Sequence, residues 1–182
     1  MSVPASTVTA SGKTALRKIL GRFATGVTVV TAGRAVPCGM TANAFTSVSV
    51  NPPLILVCVD RSAAIYETVL ADGGFGVSML SAQQEHVARY FADHSRPRGT
   101  EEFAAVEWSP GPGTGAPILH GALAWLDCSL VTSHEAGDHE IFIGSVQASG
   151  FGPADDALVF FGGGFHQPRL SKSRTIEGWG WE

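Results

Sequence analysis

Twenty-two of the 182 residues are glycine, and that number constrains the fold more than any other feature of the chain. It is about 12% of the sequence, against a usual ~7%. Glycine costs ~1 kcal/mol relative to alanine inside a helix, which disfavours a helical bundle. Ten prolines bring the two breakers to 32 of 182 residues, about 18%, below the ~25–30% that marks low-complexity chains. With 45% hydrophobic and only 15% charged residues, the composition predicts an ordered, loop-rich β or α+β domain. The length fits a single domain with a sizeable core.

Formal net charge is −4, and the nine arginines and three lysines are scattered, with Arg96-Pro97-Arg98 the nearest approach to a basic run. That argues against nucleic acid or an anionic membrane as partner. Cys38, Cys58 and Cys128 are odd in number and lie far apart in apolar stretches, as reduced, buried cytoplasmic thiols would. Residues Met1 to Gly12 lack both a basic and an apolar signal region, and no run of ~18 apolar residues exists. A cytoplasmic protein that crosses no membrane is the expectation.

Residues 1–12 are Ser/Thr/Ala-rich without periodicity and read as a mobile lead; 13–170 read as the domain and 171–182 as a polar tail. Leu16, Ile19, Leu20 and Phe23 fall at helical spacing, so a helix is expected over Ala15 to Phe23. Val27–Ala32 and Ala35–Thr41 flank Gly33-Arg34 as a hairpin. Phe45–Val50 alternates, and after Asn51-Pro52-Pro53 the run Leu54–Val59 has the continuous apolar character of a buried strand. Ser62 is expected to cap a helix over Ala63 to Ala71. Phe75–Leu80 is a strand, and Ser81 with Gln84 makes a capping box for a helix from Ala82 to about Phe91. Residues 93–121 look irregular. Ala122–Ser133 and His139–Ser149 form the strongest hairpin signal, turning over Glu135–Asp138, and Leu158–Phe161 is the last strand expected. Strands outnumber crossover helices, so the fold class is mainly β, a mostly antiparallel barrel with a few short helices.

Several motifs fail on context. Gly111-Pro112-Gly113-Thr114-Gly115-Ala116 fits a dinucleotide fingerprint by letter, but prolines flank it and no strand–helix unit holds it. Gly12-Lys13-Thr14 lacks the first glycine of a phosphate loop. The six histidines show no metal-ligand spacing, so no metal is expected. No G-x-S-x-G elbow is present.

What remains is Gly39-Met40-Thr41-Ala42-Asn43-Ala44-Phe45-Thr46-Ser47-Val48-Ser49, where hydroxyls and an amide alternate with small residues, followed by Cys58-Val59-Asp60-Arg61-Ser62. Small residues admit a flat ligand to the backbone, hydroxyls and free N–H groups can meet phosphate or a heteroaromatic edge, and Arg61 can add a charge-assisted bond. The residues alone equally allow a Thr/Ser-rich edge strand with a polar turn.

These segments resemble the short-chain flavin reductases, the FMN-binding split-barrel proteins that serve two-component flavin monooxygenases. The resemblance runs from about Leu16 to Arg169. It takes in Arg22 to Thr31, Gly39 to Ser49, Pro52 to Cys58, the Gln84-Glu85 helix to Phe91-Ala92, and Gly137-Asp138-His139 with Ile143-Gly144-Ser145-Val146. It implies a homodimer binding FMN or FAD, reduced by NADH or NADPH, with the reduced flavin diffusing to a partner monooxygenase. By position it places Thr41, Ala42 and Asn43 along the isoalloxazine, Thr46 and Ser47 on flavin polar atoms, Val59 in the flavin set, and Asp60, Arg61 and Ser62 along the ribityl and phosphate. His139, Arg22, Phe23 and Phe165 would meet the nicotinamide nucleotide. The chain departs from the family pattern at Ala44, where serine is common, and over Phe160 to Phe165, where tyrosines and a charge are more usual.

Hydride transfer between nicotinamide and flavin needs no protein acid or base, which accords with the lack of a triad or carboxylate pair. The resemblance leaves two rivals on the same barrel: a flavin-binding carrier or sensor without turnover, and an oxidase of another substrate such as pyridoxamine phosphate.

Overall fold

The computed structural model describes residues 10–168. In chain order the elements are α1 (Ala10–Leu20), β1 (Thr25–Gly26), β2 (Thr28–Ala32), β3 (Cys38–Ala42), β4 (Phe45–Ser49), β5 (Leu54–Asp60), α2 (Ala64–Asp72) and β6 (Gly74–Met79). There follow α3 (Glu85–Ala92), β7 (Trp108–Pro110), β8 (Pro117–Leu119), β9 (Ala124–Ala136), β10 (His139–Phe151), β11 (Val159–Phe161) and β12 (Gly164–His166).

Seven strands share one antiparallel sheet in the order β3-β2-β6-β9-β10-β5-β4. Its two edge strands, β3 and β4, follow each other in the chain with only Asn43 and Ala44 between them. Counting antiparallel steps across the sheet, they also point the same way. The chain therefore leaves one edge and enters the other, which curls the sheet into a barrel and leaves no long exposed edge. The Cys58 N–H donates to the Ala44 carbonyl at 3.0 Å at this crossing. This is the mostly antiparallel barrel that the sequence predicts.

Strand β2 is buried along its whole length. Alternation sends Val30 and Ala32 to a core with Val57, Val59, Phe75 and Phe142, and Val27 and Val29 to a second core with Phe91, Phe103 and Leu158. Fully burying each valine contributes roughly 1.5–3 kcal/mol, and both faces of the β-branched run Val27–Thr31 are covered. Strand β5, expected to be buried outright, is buried on one face only: Ile55, Val57 and Val59 point inward while Leu54, Leu56 and Cys58 are half-exposed.

The helix expected over Ala15 to Phe23 instead spans Ala10–Leu20. It begins inside the stretch read as a lead, and Leu16, Ile19 and Leu20 are exposed, as is Phe23 just beyond it. Hydrophobic periodicity marks the apolar stripe of a helix but not its polar first turn, so the sequence reading started it late. Residues 1–9 and the expected tail, 171–182, lie outside the described residues. Helix α2 starts at Ala64 behind an Ala63 N-cap that has no side-chain cap bond, so Ser62 does not cap it. The Ser81–Gln84 box does form, the Gln84 side chain accepting the Ser81 N–H at 3.1 Å, on a 3₁₀ turn (Ala82–Gln84) that leads into α3. The hairpin β9–β10 turns over two residues, Gly137 and Asp138, rather than four: Ala136 already pairs with His139. Gly137 has φ +69°, a conformation glycine adopts without steric cost at the first position of a tight hairpin turn.

The segment 93–121 is less irregular than its composition suggests. It holds a 3₁₀ turn (Gly99–Phe103) and the β7–β8 hairpin. Its glycine-rich loop wraps the buried Asp127 carboxylate, which accepts the N–H groups of Gly113 (2.6 Å) and Thr114 (3.1 Å) and the Thr114 hydroxyl (2.5 Å). A Cβ on Gly111 would come within 2.7 Å of Asp127 Cγ. The loop that mimics a dinucleotide fingerprint thus does bind an anion, and the anion is the chain's own side chain.

Candidate functional site

The segment after β5 is built by one carboxylate. Asp60 Oδ1 accepts the Ser62 N–H (2.8 Å) and hydroxyl (2.7 Å). The Asp60 carbonyl accepts the Ala63 N–H at 2.9 Å. The two Ser62 bonds hold the Asp60 carboxyl below its usual range, so it stays ionised and the turn stays closed at neutral pH. This turn delivers the first residues of α2 to a cleft of about 280 Å³ lined by Gly39, Met40, Thr41, Asp60, Ser62, Ala63, Ala64, Ile65, Phe91, Ala92, His94, Arg96 and Arg98.

The first turn of a helix has N–H groups without intrahelical partners, and its end carries partial positive charge. In α2 no side chain caps them, and Ala64 and Ile65 face the cleft together with Arg98. Uncapped amides plus a guanidinium form a seat for a phosphate group. Arg96 lines the same cleft but is committed elsewhere. It is buried against Glu102, donating to Oε1 at 2.9 Å and to the Gly39 carbonyl, and its guanidinium lies 5.5 Å from the Phe91 ring. It anchors the 93–103 segment to β3.

His139 comes to this corner through register. It pairs across the sheet with Asp60, and the Arg61 N–H donates to the Asp138 carbonyl at 3.1 Å. The His139 Nδ1 lies 2.7 Å from Asp138 Oδ1, with the ring 44% exposed. The Asp138 carboxyl is held low by its hydrogen bond to His139. An ionised Asp138 favours the tautomer with Nδ1–H, which leaves Nε2 as an acceptor on the exposed side.

The structure therefore gathers Thr41, Asp60, Ser62 and, next door, His139, while the other sequence candidates lie elsewhere. Ala42 and Val59 are core residues. Arg61 is turned to Glu135, at 2.9 Å. Asn43 and Thr46 line a second cleft of about 490 Å³ with Phe23, Thr25 and Leu158. Asn43 also opens on a third, of about 780 Å³, with Arg17, Lys18, Arg22, Phe160 and Gly162-Gly163. Ser47 is exposed on β4. Phe165 packs on Phe160, ring centroids 5.7 Å apart, under the Arg89 guanidinium at 5.3 Å. Among the described residues no hydrogen bond, ion pair or ring contact joins His139 to Arg22, Phe23 or Phe165. The sequence reading missed Ala63, Ala64, His94 and Arg98. Only Arg98 had a signal, in the Arg96-Pro97-Arg98 run.

The family of flavin reductase like domains matches residues 20–169. The chain is 47% identical over 164 residues to an NADH-dependent FAD reductase of Streptomyces globisporus, covering 90% of each protein. It is 33% identical over 152 residues to a reductase subunit of a flavin-dependent monooxygenase from Mycobacterium tuberculosis, covering 82% of this chain and 79% of that one. A solved NADH:FAD oxidoreductase of Streptomyces globisporus, in complex with NAD and FAD fragments, superposes with a TM-score of 0.82 at 43% identity, covering 94% of this chain and all of that one.

Proposed function

The chain belongs to the family of flavin reductase like domains, and on that footing we propose that it is an oxidoreductase that passes hydride from NADH to a flavin, FAD or FMN, with its flavin phosphate seated at the start of α2. The observation that carries the placement is the uncapped first turn of α2 opening beside Arg98 into one cleft. When bound, the flavin accepts the hydride that reduced nicotinamide supplies, so the protein contributes position and charge rather than an acid, base or nucleophile.

Each residue then has a task. The N–H groups of Ala64 and Ile65, with Arg98, hold the phosphate. Asp60 acts through the turn: its carboxylate fixes Ser62 and its carbonyl fixes Ala63. Thr41 sits on the cleft wall, its hydroxyl donating to the Ala88 carbonyl at 2.7 Å, which pins α3 against β3. His139 offers Nε2 to the nicotinamide nucleotide, one strand over from Asp60. Asn43 and Thr46, with Arg22 and Phe23, belong to the neighbouring clefts and extend the ligand surface from there.

We take 13–170 as one domain working as a homodimer. The outward stripe of α1 supports this: Leu16, Ile19 and Leu20, with Phe23 76% exposed, form an apolar face that nothing in the described chain covers. Reduced flavin would leave for a partner monooxygenase, the role named for the mycobacterial relative. No described helix is long and apolar enough to cross a membrane. The relatives are named as reductases, which speaks against a carrier or sensor without turnover.

The test is NADH oxidation by the purified protein with and without added FAD or FMN. Loss of NADH absorbance that depends on both protein and flavin is the expected result. A protein that binds flavin but leaves NADH intact would refute it.

A further inference from the structure

Where the β7–β8 hairpin meets the far end of β10 lies a further cleft of about 400 Å³, within the range of about 300–1,000 Å³ that takes a small ligand. It shares no lining residue with the phosphate cleft or with either cleft that Asn43 lines, and the hydride transfer proposed above makes no use of it. Its walls are apolar and partly aromatic, with Pro112, Ile118, Trp125 and Phe151 among them. Trp125 pairs with Gly150 across the β9–β10 ladder. A Cβ on Gly150 would come within 2.7 Å of the indole, so glycine there lets the ring lie against the strand. Phe151, the next residue, is 94% exposed, a large apolar ring that the described chain leaves uncovered.

Ser109 and His120 supply the polar end of the same cleft. Ser109 Oγ lies 2.7 Å from His120 Nε2, and across the ring Nδ1 lies 3.9 Å from Glu107 Oε2. A carboxylate on that side favours the tautomer with Nδ1–H. Nε2 is then an acceptor, the Ser109 hydroxyl donates to it, and the serine oxygen keeps lone pairs for a further donor. The cleft thus sets a hydrogen-bond acceptor beside aromatic walls. It matches a neutral, flat molecule with one O–H or N–H. An anion is disfavoured, since it would meet an acceptor with Glu107 behind it.

We propose that this cleft binds a neutral aromatic ligand bearing one hydrogen-bond donor, its ring against Trp125 and Phe151 and its donor on the Ser109 oxygen. The site stands apart from the flavin-phosphate placement, and neither depends on the other.

The test is a ligand-observed NMR titration of the protein with p-cresol and with its methyl ether, each with and without saturating FMN. p-Cresol is uncharged near neutral pH and carries the donor; the ether keeps the ring and lacks it. On the unaltered protein p-cresol should bind about fivefold more tightly, the equivalent of about 1 kcal/mol for one net hydrogen bond, and FMN should change neither affinity. Ser109→Ala/His120→Phe removes both polar atoms and should bring p-cresol down to the affinity of the ether. Phe151→Ala should weaken both ligands together, about two- to tenfold for a lost ring contact. Thermal melting run alongside reports that each variant is folded, and the comparison of the two ligands on the unaltered protein needs no variant. The proposal is overturned if p-cresol does not bind or binds no better than the ether, or if FMN displaces it. It is equally overturned if the double variant keeps the preference, or if Phe151→Ala leaves both affinities as they were.

Discussion

Ala64→Pro separates phosphate recognition from folding. Proline is favoured at the first position of a helix, where its missing N–H costs the helix nothing. It needs an extended residue before it. Ala63 supplies that, with φ −74° and ψ 137°, so the backbone accepts proline as it stands. Stability should hold or rise by about 0.4–1 kcal/mol through the unfolded state. The one donor removed is the N–H of Ala64, a residue that lines the cleft. A hydrogen bond to a charged acceptor contributes about 1.5–3 kcal/mol, so FMN should bind roughly 10- to 150-fold more weakly. Riboflavin, which has the same ring and no phosphate, is the control. Titrating both flavins by fluorescence quenching, alongside thermal melting, should show weaker FMN, unchanged riboflavin and an undiminished melting temperature. Unchanged FMN affinity, or riboflavin weakened equally, would refute the placement of the phosphate at α2.

Three further outcomes follow from the same geometry. His139→Ala should raise the KM for NADH roughly 2- to 12-fold, the loss of a single hydrogen bond of ~1 ± 0.5 kcal/mol, with flavin affinity intact; steady-state kinetics that match the unaltered protein would remove His139 from the nucleotide site. Asp127→Asn weakens the charge-assisted bonds from Gly113 and Thr114 and should cost about 1–3 kcal/mol, lowering the melting temperature by roughly 2–4 °C per kcal/mol without changing FMN affinity. Among the cysteines, burial, with Asp127 adding to it, pushes the Cys128 thiol up to about 12, whereas Cys58 is half-exposed. Alkylation of the folded protein at mildly alkaline pH should therefore modify Cys58 first and spare Cys128, as peptide mapping would reveal.

Elements with strong local patterns were legible from sequence: the β2–β3 and β9–β10 hairpins and the Ser81–Gln84 box. Each rests on neighbours in the chain. Strands β1, β7, β8 and β12 are two or three residues long, too short for any period to show. The apolar stripe of α1 was visible, but periodicity reports an apolar face and not what covers it. At the site, the Asp60–Ser62 turn and the Gly-Asp-His hairpin could be named from sequence, yet their adjacency depends on the β5–β10 register. His94 and Arg98 reach the cleft because Arg96 is tied to Glu102 and Gly39, some 6 and 57 positions away in sequence. The Asp127 nest is likewise a long-range pairing. Ala42 and Val59 went inward by strand alternation, one position from residues that line the cleft.

The central claim is that this barrel moves hydride from NADH to a flavin rather than merely holding one. Anaerobic mixing of the protein with FAD and a limiting amount of NADH tests it most directly, since oxygen cannot then return the flavin to its oxidised form. Flavin absorbance should bleach one for one with the NADH added, at a rate that depends on the protein. Flavin that stays bound and oxidised while NADH persists would contradict the account.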